Sequence, residues 1–349
     1  MEYLKGKGAQ INIANKFESQ YVSVDDQDGV DEELLLNKPK TQVYYESPKK
    51  IITTNKSPDI RFSSSINPYQ GCEHGCVYCY ARNSHEYWGF SSGIDFETKI
   101  IVKKEAPLLL EKEFLKTSYQ PEVIMLSGNT DCYQPLERKY RITRGLLSVF
   151  EKYRNPVGII TKNALITRDI DILEKLADNQ LVSVIFSITT LNEDLRRLLE
   201  PRTASAAKKL KAIELLASNN IPVGIMNAPI IPGLNHHETP TILKAAANAG
   251  AQFASYTVVR LNGQIHKIFK DWVMKTFPDR ANKIWNQVQE LHNGSVNDSQ
   301  FGRRIKGEGK IASIIKNLFE VSKRKYFKHE HQAHLSIEHF RKNGNYRLF

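Results

Sequence analysis

Between residues 122 and 259, five short apolar runs alternate with stretches of helical spacing, and this constrains the fold more than any other feature. The runs are 122–126 (EVIML), 157–161 (VGIIT), 181–188 (LVSVIFSI), 221–226 (IPVGIM) and 253–259 (FASYTVV). Four are nearly continuous apolar stretches, the pattern of parallel strands buried on both faces. Helical patterns at 144–152, 169–177, 204–217 and 237–249 separate them. Asp169 is placed to cap the second of these. The third (ASAAKKLKAIELLA) is the clearest, rich in strong helix formers and carrying an apolar stripe. Such alternation implies an α/β fold with a parallel sheet. A first strand at 63–68 brings the number of βα units to about six, which suits a full or partial barrel better than a doubly wound sheet.

After residue 260 the alternation stops, and 265–277, 280–292 and 309–323 read as helices. Residues 1–50 hold the acidic run from Asp25 to Glu33 and few apolar clusters, so they read as a peripheral segment, partly disordered or wrapped in extended form. The expected organisation is therefore an N-terminal peripheral segment (1–50), a core barrel (51–262) and a helical C-terminal extension (263–349). A chain of 349 residues buries about 75% of its unfolded surface and needs no disulfide staples. No run approaches the ~18 apolar residues of a membrane span. The polar start lacks the pattern of a signal peptide, and the expected compartment is the reducing cytoplasm.

The net charge of +11 is unevenly placed: residues 260–349 hold 18 Lys and Arg against 8 Asp and Glu. A basic C-terminal quarter on a nearly neutral body suits an anionic partner, nucleic acid first, or else a solvated face. Arg303, Arg304 and Lys306 in an expected loop, and Lys323, Arg324 and Lys325 at an expected helix end, are the candidate phosphate contacts. Tyr326, Phe327 and Tyr346 are candidates for stacking on bases. His329, His331, His334 and His339 have no diagnostic metal-binding spacing and read as a solvated tail.

Three of the four cysteines lie within eight residues, in Gly71-Cys72-Glu73-His74-Gly75-Cys76-Val77-Tyr78-Cys79-Tyr80. Clustering of this kind in a chain with no secretory features points to metal rather than disulfides. Thiolates spaced C-x3-C-x2-C suit one corner of an iron–sulfur cubane, with Gly71 and Gly75 easing the tight loop. Three thiolates leave one iron open for a small ligand. Structural zinc is the alternative, with His74 or His85 completing the set, although no second cysteine pair is present.

This motif, with an aromatic residue (Tyr78) before the last cysteine, resembles the signature of the radical S-adenosylmethionine (SAM) superfamily. The flanking Asn67-Pro68-Tyr69-Gln70-Gly71 and Tyr80-Ala81-Arg82 resemble the branch containing spore photoproduct lyase and its uncharacterised bacterial relatives. The resemblance runs from about residue 51 to 261. It implies a partial (β/α)6 TIM-like barrel with the cluster in the loop after the first strand. It also implies SAM chelated on the open iron, a 5′-deoxyadenosyl radical, lyase-like chemistry on an unidentified substrate, and an electron donor such as flavodoxin or ferredoxin.

By the same resemblance, Ser127, Gly128, Asn129 and Thr130 follow the second barrel strand where a turn holds the SAM amino group. This chain has a single glycine there. Ser187, Thr189 and Thr190 are placed to meet the ribose, and Arg202 the SAM carboxylate, unless it pairs with Glu200 on the surface. Asn227 lies in the stretch that packs along the adenine, or in a plain core strand. Cys132 lies near a hydrogen-donating cysteine of spore photoproduct lyase, a few residues out of register; a packed, passive thiol is the alternative. The competing function is a nucleic-acid-binding module with a structural iron–sulfur or zinc site.

Overall fold

The computed structural model describes residues 3–17, 41–60, 62–330 and 333–342. The acidic run from Asp25 to Glu33, His331 and Tyr346 lie outside them. The first half of the described chain holds β1 (Gln42–Tyr45), β2 (Ile52–Thr54), β3 (Ser64–Ile66), β4 (Tyr69–Gln70), α1 (Asp95–Thr98), β5 (Lys99–Val102) and α2 (Ala106–Phe114). Next come β6 (Ile124–Leu126), α3 (Glu137–Tyr140), α4 (Ile142–Tyr153), β7 (Val157–Thr161), α5 (Ile170–Ala177), β8 (Val182–Ser187) and α6 (Glu193–Leu199). The remainder is α7 (Ala206–Ser218), β9 (Val223–Ile230), α8 (Thr239–Asn248), β10 (Ala254–Val258), α9 (Ile265–Thr276), α10 (Ala281–Glu290) and α11 (Gly309–Tyr326).

The main sheet has the order β10-β9-β8-β7-β6-β3-β2. Its first six members are parallel, and β2 pairs antiparallel with β3 at the edge. Strands adjacent in the sheet follow one another around it and are joined through helices, which is a partial (β/α)6 barrel. The apolar runs become strands because both faces are covered: Val157 and Ile159 are fully buried in β7, as are Val182, Val184 and Phe186 in β8. Helices begin at polar side chains that accept free backbone N–H groups: Asn163 from Leu165, Asn192 from Leu195 and Ser205 from Lys208. Asp169 precedes α5 but accepts no such bond. Its carboxylate takes Arg144, Arg168 and the Tyr133 hydroxyl instead.

The open edge of the barrel is covered by the C-terminal extension. Val258 N–H donates to Ile305 O (3.0 Å), Leu261 N–H to Val296 O (2.9 Å), and Phe319 of α11 packs its ring on Tyr256. A strand edge left bare would invite pairing with another chain, so this cover has a clear purpose. A small side sheet of order β1-β5-β4 flanks the start of the barrel. It is absent from the sequence-based expectation, because β1 is largely exposed and β4 has only two residues.

Candidate functional site

The cysteine loop leaves β3 through the two residues of β4 and sits at the C-terminal ends of the barrel strands. Gly71 and Gly75 both have φ near +70° (76° and 69°), conformations that side chains rarely adopt, so the tight turns fall at glycine. Backbone bonds tie the loop to three other places. Cys72 N–H donates to Phe96 O (2.8 Å), Val77 N–H to Leu199 O (3.0 Å), and Arg202 N–H to His74 O (3.2 Å). Gln134 clamps the loop from the side, taking the Glu73 N–H (3.0 Å) and donating to Gly71 O (3.1 Å). Cys72 and Cys76 are buried, and Cys79 is partly exposed. Burial pushes all three thiols above their ordinary pKa, and at Cys72 the neighbouring Asp131, Cys76 and Cys79 add to the effect.

Beneath Cys76 lies a buried polar cluster. Lys162, just past β7, places its ammonium 3.0 Å from Glu200 Oε1 and 2.7 Å from Ser187 Oγ. It also lies over the Tyr78 ring, 5.6 Å from the centroid. The Tyr78 hydroxyl donates to Glu200 and lies 3.1 Å from Thr189 Oγ1. Lys209 reaches the other Glu200 oxygen at 3.3 Å from a fully buried position in α7. Burial works against the Glu200 carboxylate, yet Lys162 and Lys209 hold its pKa well below the usual range. Burial also opposes the Lys162 charge, and Glu200 together with Cys76 and Asp131 more than offsets it, so that pKa is raised.

The structure therefore gathers Tyr78, Ser187 and Thr189 with Lys162, Glu200 and Lys209, which sequence reasoning did not propose as site residues. The remaining candidates have other partners. Ser127 (φ 73°) accepts the Cys132 N–H at 2.7 Å, and Gly128 O accepts the Tyr80 hydroxyl at 2.7 Å. Asn129 donates from its side chain to Gln70 and Ser84, and its backbone N–H donates to Asn67 Oδ1. Thr130 donates to Tyr69 O, and Thr190 to Glu238. Asn227 donates to Ile188 O (3.0 Å) and accepts from Thr239 (3.0 Å), joining β9 to its neighbours. Arg202 pairs with Glu73 (3.0 Å) rather than with Glu200. Cys132 is fully buried under its own turn, its carbonyl held by Thr143.

A family model described as the radical SAM superfamily matches residues 66–246. The chain belongs to the radical SAM superfamily. Among its curated relatives, an uncharacterized protein of Mycobacterium tuberculosis (strain ATCC 25618 / H37Rv) is 30% identical over 234 residues, covering 66% of this chain and 69% of the relative. An uncharacterized protein of Methanocaldococcus jannaschii is 29% identical over 240 residues, covering 69% and 85%. Among solved structures, spore photoproduct lyase complexed with dinucleoside spore photoproduct aligns with a TM-score of 0.61 at 14% identity, over 82% of this chain and 79% of that one. A mutant of that lyase with bound AdoMet and dinucleoside spore photoproduct aligns at 0.56 and 16%, with the same coverage. At these identities the structural matches establish the shared fold.

Radical SAM proteins use a [4Fe–4S] cluster and SAM, and the donors at this site fit the cluster. Three soft thiols share one short loop, and Lys162 and Lys209 beside Cys76, and Arg82 and Lys162 beside Cys79, offset part of the cost that burial sets on their anionic forms. Among the described residues no three His, Cys, Asp or Glu side chains converge on a point that would hold a single ion. A cluster makes a different demand, since each thiolate meets its own iron. The histidines considered for zinc are engaged or aside: His74 lies 3.3 Å from Asp131 and 3.3 Å from Asn163, and His85 is packed between Phe90 and Phe96.

The basic extension of this radical SAM protein is largely self-paired at its first triplet. Arg303 meets Asp298 and Glu308, Arg304 meets Asp59 and Ser57, and Lys306 donates to Tyr256 O. Of the second triplet, Lys323 pairs with Glu330 (2.9 Å), while Arg324 and Lys325 are exposed. No helix among the described residues is long and apolar enough to cross a membrane.

Proposed function

We propose that this chain carries a [4Fe–4S] cluster on Cys72, Cys76 and Cys79, leaves one iron for SAM, and cleaves SAM reductively to act on a nucleic-acid substrate by lyase-like chemistry. The observation that carries this reading is the placement of three thiols on one pinned loop at the strand ends, with Cys132, the fourth cysteine, buried under a separate turn. When bound, the reduced cluster supplies the electron that splits SAM into methionine and a 5′-deoxyadenosyl radical, which takes a hydrogen atom from the substrate.

The residues of this chain do the holding. Lys162 is the cation for the SAM carboxylate, a role that sequence reasoning gave to Arg202. Its ammonium is held by Ser187 and Glu200, and the third N–H, which makes only a 3.3 Å contact to Ala228 O, is the one to turn to the SAM carboxylate. The side chain is only 17% exposed, where a charge-assisted bond is strong. The turn 127–130 offers backbone oxygens to the SAM amino group, while Ser127, Asn129 and Thr130 use their side chains to hold its shape. Thr189 and Ser187 face the same space. Cys132 stays outside the proposed reacting set, because a fully buried thiol cannot meet a substrate radical without the turn opening.

The nucleic-acid part of the proposal draws support from the basic extension and from the dinucleoside held by structurally similar lyases. Flavodoxin or ferredoxin in a reducing cytoplasm is the fitting electron source. The test is anaerobic reconstitution followed by SAM binding to wild type and to Lys162→Met, each at full iron content. Weaker binding in the variant supports the assignment; equal binding removes it.

A further inference from the structure

The N-terminal residues 8–15 run along the outside of the cysteine loop, in a stretch expected from sequence to be peripheral. Gly8 N–H and Ala9 N–H donate to the two oxygens of Glu97 at 3.2 and 2.7 Å. Farther along, Asn12 exchanges bonds with Asp95, Ile13 N–H donates to Ser91 Oγ (2.8 Å), and Asn15 donates to Glu86 O (2.8 Å). The backbones touch at two places. A Cβ built on Gly8 would overlap Gly75 O, and one on Gly93 would overlap Ile11 O. Glycine at these positions is required by close approach rather than by turn geometry.

Glu97 is where this segment meets the cysteines. Its carboxylate is completely buried and also takes Arg82 Nη2 at 2.5 Å. Arg82, equally buried, donates to Cys76 O (2.9 Å), Ser92 O and Gly93 O. An unbroken chain of charge-assisted bonds thus runs from the Gly8 and Ala9 amides through Glu97 and Arg82 to the carbonyl of Cys76. Without the two amides, the carboxylate would lose two of its three bonding partners in a dry site, where an under-bonded charge is costly.

We infer that residues 8–15 are a strap that fixes the cysteine loop, with Glu97 as the positioning residue that transmits its hold to Cys76, so that the cluster is retained while the strap is seated. This rests on reading Cys72, Cys76 and Cys79 as the ligands. Gly8→Val pushes the strap off Gly75 without touching the barrel. Glu97→Gln removes the charge that Arg82 and the amides share. Lys5→Ala, on the exposed approach to the strap, is the control.

Full-length protein, reconstituted anaerobically, is challenged with an excess of iron chelator, and iron release is followed together with the visible circular dichroism that the held loop lends to the cluster. Apo protein is examined by hydrogen exchange at residues 72–79 and by thermal melting. Gly8→Val should release iron roughly ten- to hundredfold faster, the factor equivalent to one hydrogen bond to a charged group. It should also speed exchange in the loop more than in β7 and β8, with a smaller drop in the melting midpoint than Glu97→Gln gives. Glu97→Gln should speed iron release and loop exchange at least as much and should lower the melting midpoint, because buried Arg82 loses its counter-charge, and Lys5→Ala should match wild type. Wild-type iron release and loop exchange in Gly8→Val would overturn the strap. If wild type itself takes up no iron, the ligand reading fails, and loop exchange in the apo variants still decides whether the strap holds the loop.

Discussion

Lys162 Nζ lies 3.0 Å from Glu200 Oε1, next to Cys76 and at the C-terminal end of β7. The pair joins the third strand of the barrel to the turn before α7, and Lys209 completes it from the helix side. With Lys209 also on Glu200, Lys162 keeps a positive charge beside the cysteine loop, which suits a site that must hold an anionic ligand group. Lys162→Met is expected to weaken SAM binding by about 1.5–3 kcal/mol, the usual worth of a hydrogen bond to a charged group, with iron content unchanged. Arg202→Ala should leave SAM affinity near wild type, since Glu73 holds the Arg202 guanidinium through Nη2 and Lys162 is the cation assigned to the carboxylate. Calorimetry with SAM on iron-loaded protein measures both.

Glu200 carries the opposite expectation. Glu200→Gln leaves Lys209 buried without a counter-charge and should cost roughly 3–5 kcal/mol in urea unfolding of the apo protein. Asp194→Ala removes an exposed partner of Arg197 and should cost no more than about 1 kcal/mol. Similar losses for the two would mean that Glu200 does not anchor its cluster.

Much of this architecture was legible in the chain. Five of the six parallel strands fall on the apolar runs, because strands buried on both faces are mostly apolar, while β3 (SSI) falls in the expected first strand at 63–68, which carries no apolar run. The strap was not legible: Gly8 and Gly75 are far apart in sequence, and a close backbone approach leaves no local pattern. Lys162 had a usable signal, since it directly follows the run 157–161, at the strand end where barrels bind ligands. Glu200 had none, because a carboxylate that draws two lysines into a core looks the same in sequence as one that faces water. Charge counting likewise could not separate Arg303 and Arg304, which bond inward, from Arg324 and Lys325, which face out.

His85 sets a pH dependence. It is 1% exposed, both ring nitrogens lack a close hydrogen-bond partner among the described residues, and burial, only partly opposed by Asp95, lowers its pKa to about 4. An unfolded histidine titrates near ~6.5, so between these values the unfolded chain binds a proton that the folded chain does not. The stability that depends on neutral His85 is whole above ~6.5 and is lost as pH falls toward 4, on the order of 3 kcal/mol in all. His85→Phe should flatten that part of the stability profile, as followed by urea unfolding across the range. An unchanged slope would assign the loss to other groups.

Nucleic-acid binding, if it is carried by the extension, should depend on the outward cations. Replacing Arg324 and Lys325 by Gln should reduce the slope of log affinity against log salt by up to about 1.8, at ~0.9 for each duplex phosphate neutralised. The same change at Arg303 and Arg304 should leave the slope in place and lower the melting temperature, because it breaks pairs with Asp298 and Asp59. Fluorescence anisotropy of labelled DNA and RNA over a salt series measures the slopes.

The most direct test of the central claim is 5′-deoxyadenosine formation by anaerobically reconstituted protein given dithionite and SAM, with Cys76→Ala and Cys132→Ala run beside wild type. The account predicts product from wild type, none from Cys76→Ala together with loss of its iron, and full iron content with product from Cys132→Ala. Iron-loaded wild type that leaves SAM intact, or a Cys132→Ala protein that cannot hold its iron, would contradict it.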